Sequence, residues 1–211
     1  MSTATKLMTA EELIRLPKLG ELYELIRGVL RTMTSAGFGH GAVEVNLLIS
    51  LALHVRTHDL GMVVGGDTGF QIERDPDTVR SADVAFVAKA RVAAVGITEN
   101  YFPGAPDAAA EVISPNDRMS EVDDKVQQWL DAGCHLVWVI NPRRREVIVY
   151  SHVAKPVILT EDDILDAQDV VPASRQIKGT TLHARLDFRP NFDVRSSAIA
   201  ECDGYRIQVH R

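Results

Sequence analysis

Acidic residues and a lysine stand in stretches of the sequence that are otherwise rich in apolar residues. Glu111 lies inside AAAEVI, Asp83 opens DVAFV, and Glu24 lies within LYELI. Lys125 follows in a segment whose apolar residues recur at helical spacing. A buried carboxylate is costly unless it pairs with a cation or binds a metal ion. These residues are therefore the first candidates for chemistry.

The chemistry that this set suits best is metal-dependent hydrolysis of a phosphodiester. Mg²⁺ prefers oxygen ligands and keeps several waters, so a few carboxylates suffice to hold it. Acids on the same face of adjacent strands converge, and a nearby lysine can orient a water or stabilise phosphoryl charge. Asp83, Glu111 and Lys125 supply such a set, with Glu24 as a further acid.

Each of these residues also has a structural interpretation. Asp83 can cap the start of a strand, and Glu111 with Lys125 can form a buried ion pair. His54 and His58 have the spacing of paired metal ligands, but no H-E-x-x-H motif contains them. They end a predicted helix, where protonated histidine interacts favourably with the helix dipole. Spacing alone leaves these alternatives open.

The hydrophobic pattern predicts the elements that must position the candidate side chains. The apolar stripe of the segment around Lys125 is centred near Val126, and Lys125 lies at its edge beside Trp129. In the strand around Glu111, odd-numbered residues share one face. In chain order the predicted elements are a hairpin over 22–33, a helix over 40–58, strands over 83–87 and 107–113, a helix over 119–130 and a strand over 136–140.

Strands and helices alternate after Gly61 and follow a hairpin and a helix. This order predicts an α/β or α+β fold with a mixed β-sheet. A dinucleotide-binding fold would require G-x-G-x-x-G between a strand and a helix. Gly37, Gly39 and Gly41 have the wrong spacing, so that fold is rejected.

Composition places further bounds on function. The chain has 211 residues, two cysteines and a formal net charge of −6. The length suits one domain. The cysteines provide no disulfide framework, and this favours a location in the reducing cytoplasm. No apolar run approaches the roughly 20 residues that a membrane span needs, and we see no apolar core of a secretory signal. The acidic total argues weakly against bulk polyanion binding, although clustered metal-binding acids add to it.

Four segments of the sequence resemble the Uma-type restriction endonucleases of the PD-(D/E)XK nuclease superfamily. The resemblance implies a restriction endonuclease-like core, in which a mixed central β-sheet is flanked by helices. It also implies hydrolysis of DNA with Mg²⁺, or with Mn²⁺ as an alternative ion. The segments, which span residues 22–141, are YELIRGVL, TGFQIERDPDTVRSADVAFV, AAEVISPNDRMSEVDDKVQQWLDAG and LVWVINP.

The resemblance also implies roles for individual residues. The family's metal-binding acids fall on Asp83 and Glu111, and its helix-borne lysine falls on Lys125. Glu24 matches a characteristic acid of the first hairpin. The lysine of a strict E-x-K motif falls on Ile113, so the ammonium group is expected to come from Lys125.

The expected organisation is a nuclease domain over residues 1–172 and a divergent tail over residues 173–211. We expect the tail to pack poorly or to serve as an oligomer arm, for example in a homodimer. The expected partner is DNA, with no membrane involvement. The alternative is a non-catalytic nuclease-fold module that binds nucleic acid or protein, and the absence of an obvious basic groove in the sequence favours it.

Overall fold

The structure, a computed structural model, describes residues 6–17, 22–66, 68–115, 117–160, 163, 165 and 170. Within these residues the predicted hairpin, helices and strands are present, with ends that differ by a few residues. The sequence pattern predicts no strand over residues 78–81 and predicts a loop over residues 102–103, but the structure has a strand at each place. The elements are α1 (Ala10–Ile14), β1 (Leu22–Ile26), β2 (Val29–Met33), α2 (Phe38–Thr57), β3 (Gly61–Gly65), β4 (Gly69–Glu73), β5 (Thr78–Ser81), β6 (Val84–Ala88), α3 (Lys89–Val95), β7 (Phe102–Pro103), β8 (Ala108–Val112), α4 (Met119–Asp131), β9 (Leu136–Asn141), β10 (Glu146–Ser151) and β11 (Val157–Thr160).

The described strands form two mixed sheets. The small sheet has the order β2-β1-β5-β4-β7, and the large sheet has the order β11-β10-β9-β8-β6-β3. The β4–β7 and β8–β9 pairs are parallel, and the other pairs are antiparallel. The predicted α+β class with a mixed sheet and flanking helices is confirmed. The strands divide between two sheets, because β5 pairs with β1 whereas β6, only two residues later, pairs with β3 and β8.

Helix α2 covers one face of the large sheet. Its core residues follow helical spacing, and Val43, Leu47, Leu51 and Val55 are all buried. They pack in one cluster with the even-numbered residues of β6 and β8, among them Phe86. This face is the larger apolar core of the described chain.

Helix α4 covers the opposite face of the large sheet. Its Val126 and Trp129 pack with Ala85 of β6 and Ala109 of β8. Because side chains alternate along a strand, Glu111 lies on the same face as Ala109. The strand therefore directs an acid toward α4.

One helix bears on the expectation of no membrane involvement. α2 has 20 residues, most of them apolar, and only 28% of its most apolar stretch is buried. By length and composition it could cross a membrane, contrary to the sequence expectation that no segment qualifies. Helices in the cores of soluble proteins meet the same criterion, so the expectation about membranes stays a prediction.

The predicted boundary at residue 172 and the tail of residues 173–211 lie outside the described residues. The sequence pattern also predicts a strand over residues 205–209, which lies outside them as well.

Two valines near the large sheet's edge provide a matched test of the core. Val147 of β10 is buried, whereas Val153, in the turn that follows, is 90% exposed. Val147→Ala should lower the free energy of unfolding by about 2 kcal/mol, because it removes buried methyl groups and leaves a cavity. Val153→Ala should change it by less than about 0.5 kcal/mol. Urea unfolding measures both; equal losses would contradict the assigned core.

Candidate active site

All four candidate residues line one cleft. The cleft has a volume of about 400 Å³ and lies between the first hairpin, the start of α2, α4 and the ends of β5 and β8. Its lining includes Glu24, Asp83, Glu111 and Lys125, together with His40. Residues from distant parts of the chain thus meet at one place.

Sheet register brings Asp83 next to Glu111. Val84 of β6 lies opposite Ala110 of β8 in an antiparallel pair. The same register, continued by one residue, places Asp83 opposite Glu111, so both carboxylates lie on the face that α4 covers. The backbone N–H of Val112 donates to Asp83 Oδ2 at 2.6 Å and holds this carboxylate against β8.

Two donors from α4 fix the carboxylate of Glu111. Lys125 Nζ donates to Oε2 at 2.7 Å, and Trp129 Nε1 donates to Oε1 at 2.8 Å. The donors are four residues apart and therefore lie on the same side of the helix. Burial raises the pKa of Glu111 to about 7; Lys125 opposes this rise and the charge of Asp83 adds to it.

The ammonium group of Lys125 lies between two acids. Its Nζ is 2.7 Å from Glu111 Oε2 and 3.6 Å from Glu24 Oε1. Burial acts to lower the pKa of Lys125, but the charges of Glu111 and Glu24 outweigh burial and raise it. Lys125 therefore carries its proton at neutral pH. Lys125 of α4 thus brings an ammonium group to Glu111, and Ile113, directly after β8, occupies the position of the lysine of E-x-K.

Glu24 is an acid with structural partners. It is 2% exposed, and its Oε2 accepts from Arg80 Nη1 at 2.5 Å while its Oε1 accepts from the Ser81 N–H at 2.9 Å. Burial acts to raise the pKa of Glu24, but Lys125 and Arg80 outweigh it and lower the pKa. Arg80 also donates through Nε to Gln128 of α4 at 2.7 Å. This network connects the small sheet to α4.

His40, at the start of α2, reaches the other side of Asp83. Its Nε2 is 3.4 Å from Asp83 Oδ2 and its Nδ1 is 3.1 Å from Ser114 Oγ. The hydrogen bond with Asp83 raises the pKa of His40 in spite of its partial burial. Burial acts to raise the pKa of Asp83, but His40 and the Val112 N–H outweigh it and lower the pKa. No motif spacing in the sequence predicts a histidine partner for Ser114. In the structure its partner is His40, which is 74 residues away in the chain.

Glu44 is a residue of the site that the sequence interpretation missed. Ligand atoms of His40, Glu44 and Asp83 all lie within 4.8 Å of one another, a separation that one cation can bridge. Glu44 follows His40 by four residues, so both side chains lie on one side of α2. That spacing within a predicted helix was the available signal.

The candidate pair His54 and His58 lies outside the cleft. His54 and His58 are near the other end of α2 and contact each other with ring centroids 4.4 Å apart. Burial lowers the pKa of His54, which favours a neutral ring. Cys134 is buried, and burial raises the pKa of its thiol to about 12. Such a thiol is an unreactive core group.

Acids outnumber bases among the residues that line the cleft. The basic side chains Arg80 and Lys125 each contact an acid. This excess of negative charge would repel a polyanion such as DNA. A divalent cation bound in the cleft would reduce that repulsion. The acids are Glu24, Glu44, Asp83, Glu111, Asp117 and Glu121.

Comparisons with known proteins agree with this fold and with the resemblance in the sequence. A crystal structure of a "putative nuclease" from Anabaena variabilis matches with a TM-score of 0.70 and 17% identity, over 86% of this chain and 98% of that chain. At this identity the likeness shows the fold. No curated protein matches the sequence. The family model Uma2, described as "Putative restriction endonuclease", matches residues 10–183. The chain therefore belongs to the Uma2 family.

Proposed function

We propose that the protein is a Mg²⁺-dependent endonuclease that hydrolyses DNA phosphodiester bonds, with water as the nucleophile. Family membership supports a nuclease function in general. The observation that carries the finer proposal is the placement of Asp83 and Glu111 on one face of adjacent strands, with the ammonium of Lys125 bonded to Glu111. We also propose that the protein is located in the cytoplasm, because its two cysteines provide no disulfide framework.

The side chains fit a hard divalent cation. Carboxylate oxygens are the ligands that Mg²⁺ prefers, and those of Asp83 and Glu111 keep lone pairs after accepting their present hydrogen bonds. We propose these two acids as the ligands of the ion. His40 and Glu44 extend the donor set around Asp83, and an imidazole nitrogen suits Mn²⁺ better than Mg²⁺. When bound, the cation would polarise a phosphoryl oxygen and lower the pKa of a bound water.

Lys125 has the position and charge of a group that stabilises a phosphorane. Its ammonium is held beside Glu111 in a largely water-excluded site, where a fixed positive charge acts strongly on developing negative charge. Glu24 contacts the same ammonium from the small sheet. We assign Glu24 the role of positioning Lys125, because its carboxylate is already bound by Arg80 and the Ser81 N–H.

The second candidate function is a non-catalytic module of the same fold that binds nucleic acid or protein. It is favoured by the excess of acids in the cleft and by the pairing of Lys125 and Arg80 with acids. In such a module the charged network would stabilise the fold alone and need not bind an ion. Metal binding and cleavage therefore separate the two functions.

Removal of either proposed ligand should abolish cleavage. Glu111→Gln and Asp83→Asn keep the side-chain size but remove a charge that the cation needs, so we expect cleavage rates to fall by about 1,000-fold or more. Nicking and linearisation of plasmid DNA in Mg²⁺ or Mn²⁺ measures the loss. Asp124→Asn, at an exposed position of α4, is the matched control and should keep full activity. Unchanged cleavage by Glu111→Gln would refute the assignment.

Lys125 should affect stability and catalysis separately. Lys125→Met leaves Glu24 and Glu111 without their shared cation, and we expect a loss of about 3–5 kcal/mol in the free energy of unfolding. Adding Glu111→Gln removes the carboxylate charge that Lys125 had neutralised and should restore part of that stability without restoring cleavage. Chemical denaturation and the plasmid assay together measure the two effects. Recovery of cleavage in the double variant would show that the ammonium is dispensable.

Divalent cations should stabilise the folded protein. At a Mg²⁺ concentration ten times the dissociation constant, the expected gain is about 1.4 kcal/mol, seen as a higher melting temperature that EDTA reverses. Asp83→Asn should remove the shift, whereas Asp124→Asn should retain it. If neither Mg²⁺ nor Mn²⁺ changes the melting temperature of the wild-type protein, the result would favour the non-catalytic function.

A further inference from the structure

Helix α2 is apolar on its outer side as well as on its core side. Large apolar side chains there are widely exposed: Phe38 by 91%, Leu53 by 57%, Val45 by 51% and Ile49 by 48%. At about 100° per residue these four lie on one stripe, directly opposite the buried residues of the same helix. We call residues 38, 41, 42, 45, 49, 52, 53 and 56 the outer stripe. A helix that is apolar all round is normally covered on every side.

The outer stripe complements itself about the middle of the helix, near Leu47. If two copies of α2 pack antiparallel, with a two-fold axis at this point, Val45 of one copy lies opposite Ile49 of its partner. The same arrangement places the large Leu53 over the small Ala42. Large side chains facing small ones allow close packing of helices. A two-fold contact of this kind uses the same patch on both copies.

The charges on α2 are compatible with this contact. From Phe38 to Leu53 the outer stripe carries no charged residue, so a symmetric pair would bury no like charges. Glu44 lies on another side of the helix and faces His40 and Asp83. At the end of the stripe, the exposed Arg56 would meet the ring of the partner's Phe38, which suits a cation–π contact.

We propose that the outer stripe of α2 is the interface with a second copy of this chain, packed antiparallel across a two-fold axis near Leu47. The interface does not depend on the proposed nuclease activity. A bilayer-spanning role does not fit the packing, because Leu47, Leu51 and Val55 attach the other side of α2 to the large sheet. A second copy covers the outer stripe without detaching the helix.

Sedimentation velocity of the full chain tests the interface. The wild-type protein should sediment with twice the chain mass of 23.2 kDa. Ile49→Glu should shift it to the single-chain mass, with an unchanged circular dichroism spectrum. Val153→Glu, which places the same charge at a position that is 90% exposed elsewhere, should leave the mass doubled. A doubled mass in Ile49→Glu would overturn the proposal.

Disulfide trapping tests the antiparallel register. In a Cys202→Ser background, in which the remaining Cys134 is buried, Val45→Cys and Ile49→Cys proteins are mixed and oxidised. The mixture should give a cross-linked pair of one chain of each kind. Cross-linking of Val45→Cys with itself at an equal yield would indicate parallel packing and overturn the arrangement. A monomeric wild type would overturn the interface, whether the outer stripe then binds phosphatidylcholine vesicles or is covered by residues 171–211.

Discussion

The structure depends on a positive charge buried between two acids that come from different sheets. Glu24 belongs to the small sheet, Glu111 to the large sheet, and Lys125 to α4, which packs between them. Glu111 and Lys125 depend on each other, because a buried charge that loses its partner is strongly destabilising, and Glu24 is held by Arg80 as well as by Lys125. The ion triad therefore fixes how the first hairpin, α4 and β8 meet. Glu111 also lines the cleft, together with Glu24 and Lys125.

The connection between the sheets places the remaining acid. Only Ala82 and Asp83 separate β5 of the small sheet from β6 of the large sheet. Arg80, just before this connection, binds Glu24, and Asp83, just after β5, binds the backbone of β8. The short connection therefore has a structural charge, that of Arg80, on one side and a candidate metal ligand, Asp83, at its other end.

The parts of the site that could be predicted are those with local signals. Glu111 interrupts an apolar strand and Lys125 lies at the edge of an amphipathic stripe, so strand alternation and helical spacing suffice to bring them together. The contacts that sequence patterns did not predict join residues that are far apart in the chain. The bond between Arg80 and Glu24 spans 56 residues, and that between His40 and Ser114 spans 74. Strand β5, which carries Arg80, is too short for periodicity to reveal it, and its pairing with β1 produces the division into two sheets.

Helix α2 shows how one element serves the core, the cleft and the proposed interface at different positions around its axis. Its core side packs on the large sheet over the length from Val43 to Val55. His40 and Glu44 reach Asp83 from the first turns only. The centre of the outer stripe, at Val45 and Ile49, points away from the cleft, so a charge introduced at Ile49 disturbs association without touching Asp83 or its neighbours. Phe38 differs, because it lies within two residues of His40. Association through the outer stripe would therefore restrain the first turn of α2, which is the part of the helix that presents His40 and Glu44 to the candidate metal ligand.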